Sequence, residues 1–507
     1  MGSNGGFKLK KALCSSKFFW RFLGVICVLF YPLLLFWFSA FQCTDSPRSV
    51  FETANIFSRP KVFSYKGDLL KLGTSWNALT FTSKPPQKHL KIALFVKKWP
   101  AKDKAGGLER HALTLHRVLA QRGHQLHIFT GLPTDPSAAI ESDKSMHFHF
   151  TNYSDPVNRF INKEEAWSKF QIITRQVGGF DIIHTESVAL PHKYAKGLNN
   201  VVATWQGIGY ESTHSSIVQE LTRDPADPRT PAVDKELKDH LEKVIQEIRF
   251  FQNYKHHVGT SDYMGDVLRR VYMLPVENVH IILNGVDEDR FRADPGKGRA
   301  FRVAHGVPLE ARLVLGMSGR LVKDKGHPVV FKVLRDLFSD RRNSDIFVLI
   351  AGDGPWASRY KELGPNVKVL GPLGPGELGD FYNALDLFMN PTLRAQGLDQ
   401  TTLEAMLCGK AVFATHFGSI VRSAIVSEEF GYTFSPTHES LKKELERVLE
   451  DGKRVLEKKG RACGKRAALL FTAQKMAASF ERLFLCIAKK PEDTVDFCTY
   501  PLPADTI

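Results

Sequence analysis

Two doubly wound, Rossmann-like α/β domains facing a central cleft, preceded by one N-terminal transmembrane helix, are what this sequence predicts. Three observations carry the prediction. Apolar runs of strand length alternate with helical patterns from Leu90 to about Gly460. The alternation breaks at Asp294-Pro295-Gly296 and resumes after Arg312. Ahead of both stands Phe22 to Phe41, an almost wholly apolar run without a charge. Strand–helix alternation on either side of a seam specifies two parallel sheets covered by helices. A chain of 507 residues suffices for both cores plus appendages.

From the N-terminus, residues 1–21 read as a cytosolic tail, 22–41 as a signal anchor and 42–88 as a stem. At about 1.5 Å per residue the anchor is long enough to cross a hydrocarbon core of about 30 Å. Lys8, Lys10, Lys11, Lys17 and Arg21 precede the first acid, Asp45, so the positive-inside rule puts that end in the cytosol. The rest is then expected in the lumen of the Golgi or another secretory-pathway membrane system, as a single-pass type II protein. A signal peptide cleaved near Ser39-Ala40 is the alternative, but the apolar run exceeds the usual signal core. The stem mixes Ser, Pro, Lys and aromatics and ends in Lys84-Pro85-Pro86-Gln87.

Residues 89–295 are the expected first domain. Lys91 to Val96 is a strand, Gly106-Gly107 a turn, and Leu108 to Arg122 a helix with Leu108, Leu115, Val118 and Leu119 on one side. Gly123-His124 closes that helix and Gln125 to Thr130 is the next strand, completing a βαβ unit. Phe180–His184, Val201–Trp205 and His256–Thr260 read as further strands. Between the last two, from Ser212, comes a polar loop rich in Pro and Asp, then a charged helix from Val233. Residues 296–468 are the second domain, 469–490 hold a final helix and 491–507 a polar tail.

Composition narrows the function. The net charge is +15, yet no basic block is interleaved with aromatics, so a nucleic-acid partner is not expected. A surplus of cations suits anionic substrates. None of the seven cysteines forms Cys-x-x-Cys and the histidines fall at no zinc-ligand spacing, so no metal site is expected. A disulfide within the C-terminal set is compatible with an oxidising compartment, its pairing left open. Asn152-Tyr153-Ser154 is an N-glycosylation sequon, usable only in the lumen.

Three segments of the second domain describe a site for a sugar nucleotide. Gly319-Arg320-Leu321-Val322-Lys323-Asp324-Lys325-Gly326 sets cations on a turn directly after the apolar run Leu313 to Met317. Phe347 to Ala351 runs into Gly352-Asp353-Gly354-Pro355. Gln396-Gly397-Leu398 leads into Thr401-Thr402-Leu403-Glu404, the start of a helix stopping at Gly409. Arg320 and Lys325 offer cations to a diphosphate, the helix start offers N–H groups, and Glu404 offers a carboxylate to ribose hydroxyls. On an arbitrary turn the two cations would mean little; at the C-terminal end of a first strand they stand where open α/β sheets bind ligands. Gly106-Gly107 either lets a backbone approach a phosphate or only tightens the turn into Glu109-Arg110-His111, which would face the cleft. His416-Phe417-Gly418-Ser419 either closes over the donor or is an ordinary loop. Asp287-Glu288-Asp289 has the spacing of a metal clamp, but sits in the turn Asn284-Gly285-Val286-Asp287 and reads as structural.

In order and spacing, these motifs resemble the family 4 retaining glycosyltransferases of the two-Rossmann-domain GT-B type, over about residues 90–490. The resemblance implies that Arg320 and Lys325 hold the donor diphosphate and act in catalysis, and that Glu404 holds the ribose. Gly106 and Gly107 would meet the phosphate from the opposite domain. Gly319, Gly354, Gln396, Gly397, Leu398, Thr401 and Thr402 would complete the donor site. It also implies that no metal or other cofactor is needed, and that the helix at 469–490 crosses back to the first domain. Two positions depart from the pattern. The first of the family's two glutamates, which have seven residues between them, falls on Gln396, which lies against the transferred sugar and hydrogen-bonds without charge. The histidine common after the strand ending in Trp205 is Gln206, which has no acid–base role near neutrality.

The expected activity is therefore transfer of a sugar from a nucleoside-diphosphate sugar, with UDP the expected nucleotide, to a glycan, protein or lipid hydroxyl. Gln206 and Gln396 stand with Arg320 and Lys325 as the candidate catalytic residues. Two alternatives remain: a transferase-like protein that binds a nucleotide or glycan without turnover, and a sugar-nucleotide epimerase on the same scaffold.

Overall fold

The computed structural model describes residues 65–82, 84–100, 107–133, 144–155, 157–223, 230–395 and 397–502. The expected tail at 1–21, the anchor at 22–41, Gly106 and Gln396 lie outside them. Among the described residues, no helix is long and apolar enough to cross a membrane.

The first sheet comprises β1 (Lys91–Phe95), β2 (Gln125–Gly131), β3 (Met146–Thr151), β4 (Ile182–Glu186), β5 (Val201–Trp205), β6 (His256–Gly259) and β7 (Val279–Ile281). All pair in parallel, in the order β7-β6-β5-β4-β1-β2-β3. A parallel sheet is covered on both faces, so its strands must be apolar throughout: Ile92, Ala93, Leu94 and Phe95 are all fully buried. Helix α1 (Gly107–Gln121) joins β1 to β2 and ends before Gly123, whose φ of +94° suits only glycine.

Sequence reading missed the two edge strands for different reasons. β3 is His-rich and half-exposed, and β7 is only three residues long. Nor does the sequence reading assign a helix ahead of Val233 in this region, whereas α2 (Gly209–Leu221) is helical. Its first turn is secured from outside: Gly209 N–H donates to both Glu247 oxygens at 2.9 and 2.8 Å, and Glu247 lies on α3 (Pro231–Phe250).

The second sheet comprises β8 (Leu313–Ser318), β9 (Ile346–Ala351), β10 (Val367–Gly371), β11 (Leu387–Asn390), β12 (Ala411–Thr415) and β13 (Gly431–Phe434). It is parallel, in the order β10-β9-β8-β11-β12-β13. The direction of strand addition reverses between β1 and β4 in the first sheet and between β8 and β11 in the second. Crevices open at such points, beyond the C-terminal ends of the strands. Two helices, α4 (Pro375–Ala384) and α5 (Gln400–Leu407), flank β11 and present side chains to that crevice.

After α6 (His438–Leu470), which bends at Gly452, the chain turns at Thr472 into α7 (Ala473–Ile487). Helix α7 lies in the first domain. Met476, Ala477, Phe480, Leu483 and Phe484 share a core with Ile92, Leu94, Leu115 and Leu119. The Glu481 carboxylate accepts a two-pronged bond from Arg122 at 2.8 and 2.7 Å, with His124 Nε2 at 2.9 Å. Val286 exchanges backbone hydrogen bonds with Phe471 and Ala473, both 2.9 Å. Gly285 permits that approach, since a Cβ there would stand 2.4 Å from the Thr472 carbonyl oxygen. Cys486 and Cys498 form a disulfide, while Cys408 and Cys463 are buried thiols.

Candidate active site

The site begins where β8 ends. The chain turns at Gly319, with φ +117°, and Gly352 and Gly354 support the turn from beneath. A Cβ on Gly352 would meet the Gly319 carbonyl oxygen at 1.9 Å, and one on Gly354 the Leu321 carbonyl oxygen at 2.6 Å. Gly354 thus supports the turn that carries Arg320. Arg320 itself is exposed, with no ion-pair partner among the described residues.

Lys325 turns inward, its Nζ 2.6 Å from Asp399 Oδ2. Asp399 caps α5, accepting from Thr401 N–H at 3.3 Å and Thr401 Oγ1 at 3.0 Å. Burial pushes the Asp399 carboxyl upward, but Lys325 and Thr401 outweigh it and hold it at about 2, fully ionised. The helix start expected to greet a phosphate is therefore already capped by a carboxylate. Any anion that reaches Lys325 must compete with Asp399 for it. Thr402 points the other way: it is buried, and its Oγ1 accepts from Asn390 Nδ2 at 2.9 Å, pinning α5 to β11. Its side chain therefore serves the packing of α5 on β11.

Glu404 is buried and fully engaged. Arg110 Nη1, from α1 of the first domain, donates to Oε1 at 2.8 Å. Tyr382 OH, from α4, donates to Oε2 at 2.7 Å and lies 2.9 Å from Ser318 Oγ at the end of β8. Burial raises the Glu404 carboxyl, against the pull of Arg110 and Tyr382. Two hydrogen bonds through Tyr382 therefore link Glu404 to the residue just before the Gly319 turn, so cations and carboxylate belong to one site. Arg110 and Tyr382 were not assigned to this site from sequence, although Arg110 sits in the helix start expected to face the cleft.

The two domains meet again at Gly397. Its φ is +58°, and a Cβ there would stand 2.8 Å from the Gln206 carbonyl oxygen. The Gln206 side chain exchanges two hydrogen bonds with Asn284, at 3.3 and 3.1 Å, and Asn284 Nδ2 also donates to the Leu398 carbonyl at 3.0 Å. Gln206 is thus a seam residue, its amide committed to Asn284. Phe417 is buried with Val218, Leu393 and Ala395, so the loop at 416–419 makes an inter-domain contact. Gly107 is exposed at the start of α1, with open space around it. Asp287 caps its own turn, accepting from the N–H groups of Asp289 and Arg290 at 3.1 and 3.2 Å.

The Arg110–Glu404 pair yields a measurable coupling. In a double-mutant cycle with Arg110→Ala and Glu404→Gln, unfolding without ligand should show about 1–3 kcal/mol of interaction. If ribose hydroxyls take the Glu404 carboxylate, the coupling should shrink toward zero with nucleotide bound. Equal coupling in both states would mean that the nucleotide leaves the pair intact.

Two parallel sheets, with cations and a buried carboxylate at the switch point of the second, make up a two-Rossmann-domain fold of the GT-B type. The chain matches two domains in sequence, "Glycosyltransferase Family 4" over residues 105–290 and "Glycosyl transferases group 1" over residues 301–469. It is similar to the D-inositol 3-phosphate glycosyltransferase of Saccharomonospora viridis, 31% identical over 215 residues, covering 39% of this chain and 48% of that one. A second such enzyme, from Catenulispora acidiphila, is 24% identical over 351 residues, 63% of this chain and 76% of its own. The chain thus spans about half of the first relative and three quarters of the second. Among solved structures, a sucrose-phosphate synthase from Thermosynechococcus elongatus superposes with a TM-score of 0.61 at 20% identity, covering 78% of this chain and 98% of that one. HepE of Anabaena, in complex with UDP-glucose, gives 0.55 at 16% identity, with coverage of 78% and 99%.

These relatives overturn one expectation. They are bacterial enzymes, and no helix among the described residues is long and apolar enough to cross a membrane. The placement in the Golgi or another secretory-pathway membrane, type II with a luminal catalytic part, is withdrawn. Glycosylation of Asn152, exposed on the first domain, depended on that lumen and is withdrawn with it.

Proposed function

We propose that the protein is a retaining glycosyltransferase that moves a sugar from a nucleoside diphosphate, UDP in first place, to a hydroxyl of a glycan, protein or lipid acceptor. The observation that carries this reading is the link Ser318–Tyr382–Glu404, which joins the Arg320 turn to the candidate ribose carboxylate. HepE, solved with UDP-glucose on a similar fold, supports the choice of nucleotide.

The chemistry follows from charge. As the bond from the anomeric carbon to the diphosphate breaks, negative charge grows on the leaving oxygens, where Arg320 and Lys325 stabilise it without a metal ion. Lys325 exchanges Asp399 for the diphosphate, and Glu404 exchanges Arg110 for the ribose. The departing phosphate oxygen takes the acceptor proton on the same face, so the sugar keeps its configuration. Neither Gln206 nor Gln396 is required as a base; catalysis rests on positioning and charge.

Incubation of the purified protein with UDP-, GDP- and ADP-sugars, followed by measurement of free nucleoside diphosphate, tests this. Release from a UDP-sugar, accelerated by a hydroxyl acceptor, is the expected result. Neither release nor binding of any of the three would end the proposal. The commitment of Gln206 to Asn284 favours one rival, binding without turnover, which measurable hydrolysis excludes.

A further inference from the structure

Beneath the first turns of α1 lies a polar cluster that sugar transfer does not use. His116 of α1 and His184 and Glu186 of β4 are all fully buried. One nitrogen of each ring and a carboxylate oxygen of Glu186 lie within 4.8 Å of one another. Neither oxygen of Glu186 has a hydrogen-bond partner among the described residues. A buried carboxylate in that state is costly unless a cation meets it.

Each of the two rings is anchored on its outer side by an oxygen. His116 Nδ1 is 2.7 Å from the Ala112 carbonyl oxygen, and its Nε2 is 2.9 Å from His184 Nδ1. His184 Nε2 is 2.8 Å from Thr204 Oγ1. The outward nitrogen of each ring thus has an oxygen partner, and the inward nitrogens face each other. We propose that His116 Nε2, His184 Nδ1 and Glu186 form a structural site for a divalent cation of the zinc class. Two imidazole nitrogens and a carboxylate oxygen suit that ion, and carbonyl and hydroxyl partners behind the rings fix their orientation.

Protons balance without release. His116 keeps its proton on Nδ1, donated to Ala112. The His184 proton moves from Nδ1 to Nε2, where it is donated to Thr204, leaving both inward lone pairs for the ion. His111 lies beside the cluster: neither of its ring nitrogens has a hydrogen-bond partner among the described residues, and Nε2 is 3.4 Å from Glu186 Oε1. Phe480 and Phe484 of α7 cover His184, with ring centroids 5.6 and 5.4 Å away. The ion would thus tie α1 and β4 together beneath the C-terminal helix.

The test uses the intact protein purified from zinc-supplemented cells. About one equivalent of zinc per chain is expected, with a thermal midpoint that falls on chelation and recovers with Zn²⁺ alone. Glu186→Gln and His184→Gln should each lose the metal, and Thr204→Val should weaken retention about 10–100-fold. If those variants fail to fold, stoichiometry and the chelation shift of the parent decide. A metal-free parent whose midpoint ignores both chelator and Zn²⁺ would overturn the proposal.

Discussion

Arg320→Ala should lower kcat/KM for the sugar nucleotide by about 10²–10³-fold, the loss typical of removing one preorganised donor from a developing oxyanion. The fall should appear in kcat as well as KM, because Arg320 is asked to stabilise charge that grows as the leaving group departs. Folding should be nearly unaffected: the side chain is exposed and has no ion-pair partner among the described residues. Arg320→Lys should recover only part of the rate, since an ammonium cannot reproduce a planar two-pronged contact with phosphate. Retention of full kcat/KM by Arg320→Ala would show that the diphosphate binds elsewhere and would remove the basis of the proposed function.

A second large effect is expected from Glu211, in the first turn of α2. The residue is fully buried and neither carboxyl oxygen has a hydrogen-bond partner among the described residues. Burial pushes its carboxyl up to about 8; the nearby backbone of Gly397 and Ile208 opposes this, and Glu247 adds to it. The unfolded chain ionises near the ordinary value of 4.5. Between those two pH values the folded protein holds one more proton than the unfolded one, so stability falls as pH rises. The full loss, reached above the folded value, is about 4–5 kcal/mol at about 1.4 kcal/mol per unit. Glu211→Gln should match the parent near pH 4.5 and exceed it progressively toward pH 8 in urea unfolding. Parallel pH profiles for the two proteins would show that the carboxyl is not held protonated.

Much of the fold was legible because a parallel strand buried on both faces leaves an unbroken apolar run, as in β1, β8 and β9. The half-exposed, His-rich β3 carries no such mark, and β7, though buried, is only three residues long. Arg320, Lys325 and Glu404 were legible because their setting is local: each lies within a few residues of a glycine turn or helix start. What surrounds them was not. Arg110 meets Glu404 across 294 residues of sequence, and Tyr382 reaches it from another helix. Thr401 and Glu404, three residues apart, share a face of α5, whereas Thr402 is turned about a quarter of a circle toward the sheet. A motif read as a string cannot separate those faces. The seam role of Gln206 likewise depends on Asn284, in a turn whose spacing suggested only structure.

The return of α7 has a consequence for biosynthesis. The apolar trough formed by Leu115, Leu119 and their neighbours is completed by Met476, Phe480 and Phe484, which a ribosome adds last. After the first sheet has emerged, roughly 190 further residues must be made, about 10–40 s at typical elongation rates. Throughout that interval the nascent half-protein carries an open greasy furrow, a natural substrate for holding chaperones. Stop codons upstream of Ala473 should therefore give insoluble product, even though both sheets would be encoded in full.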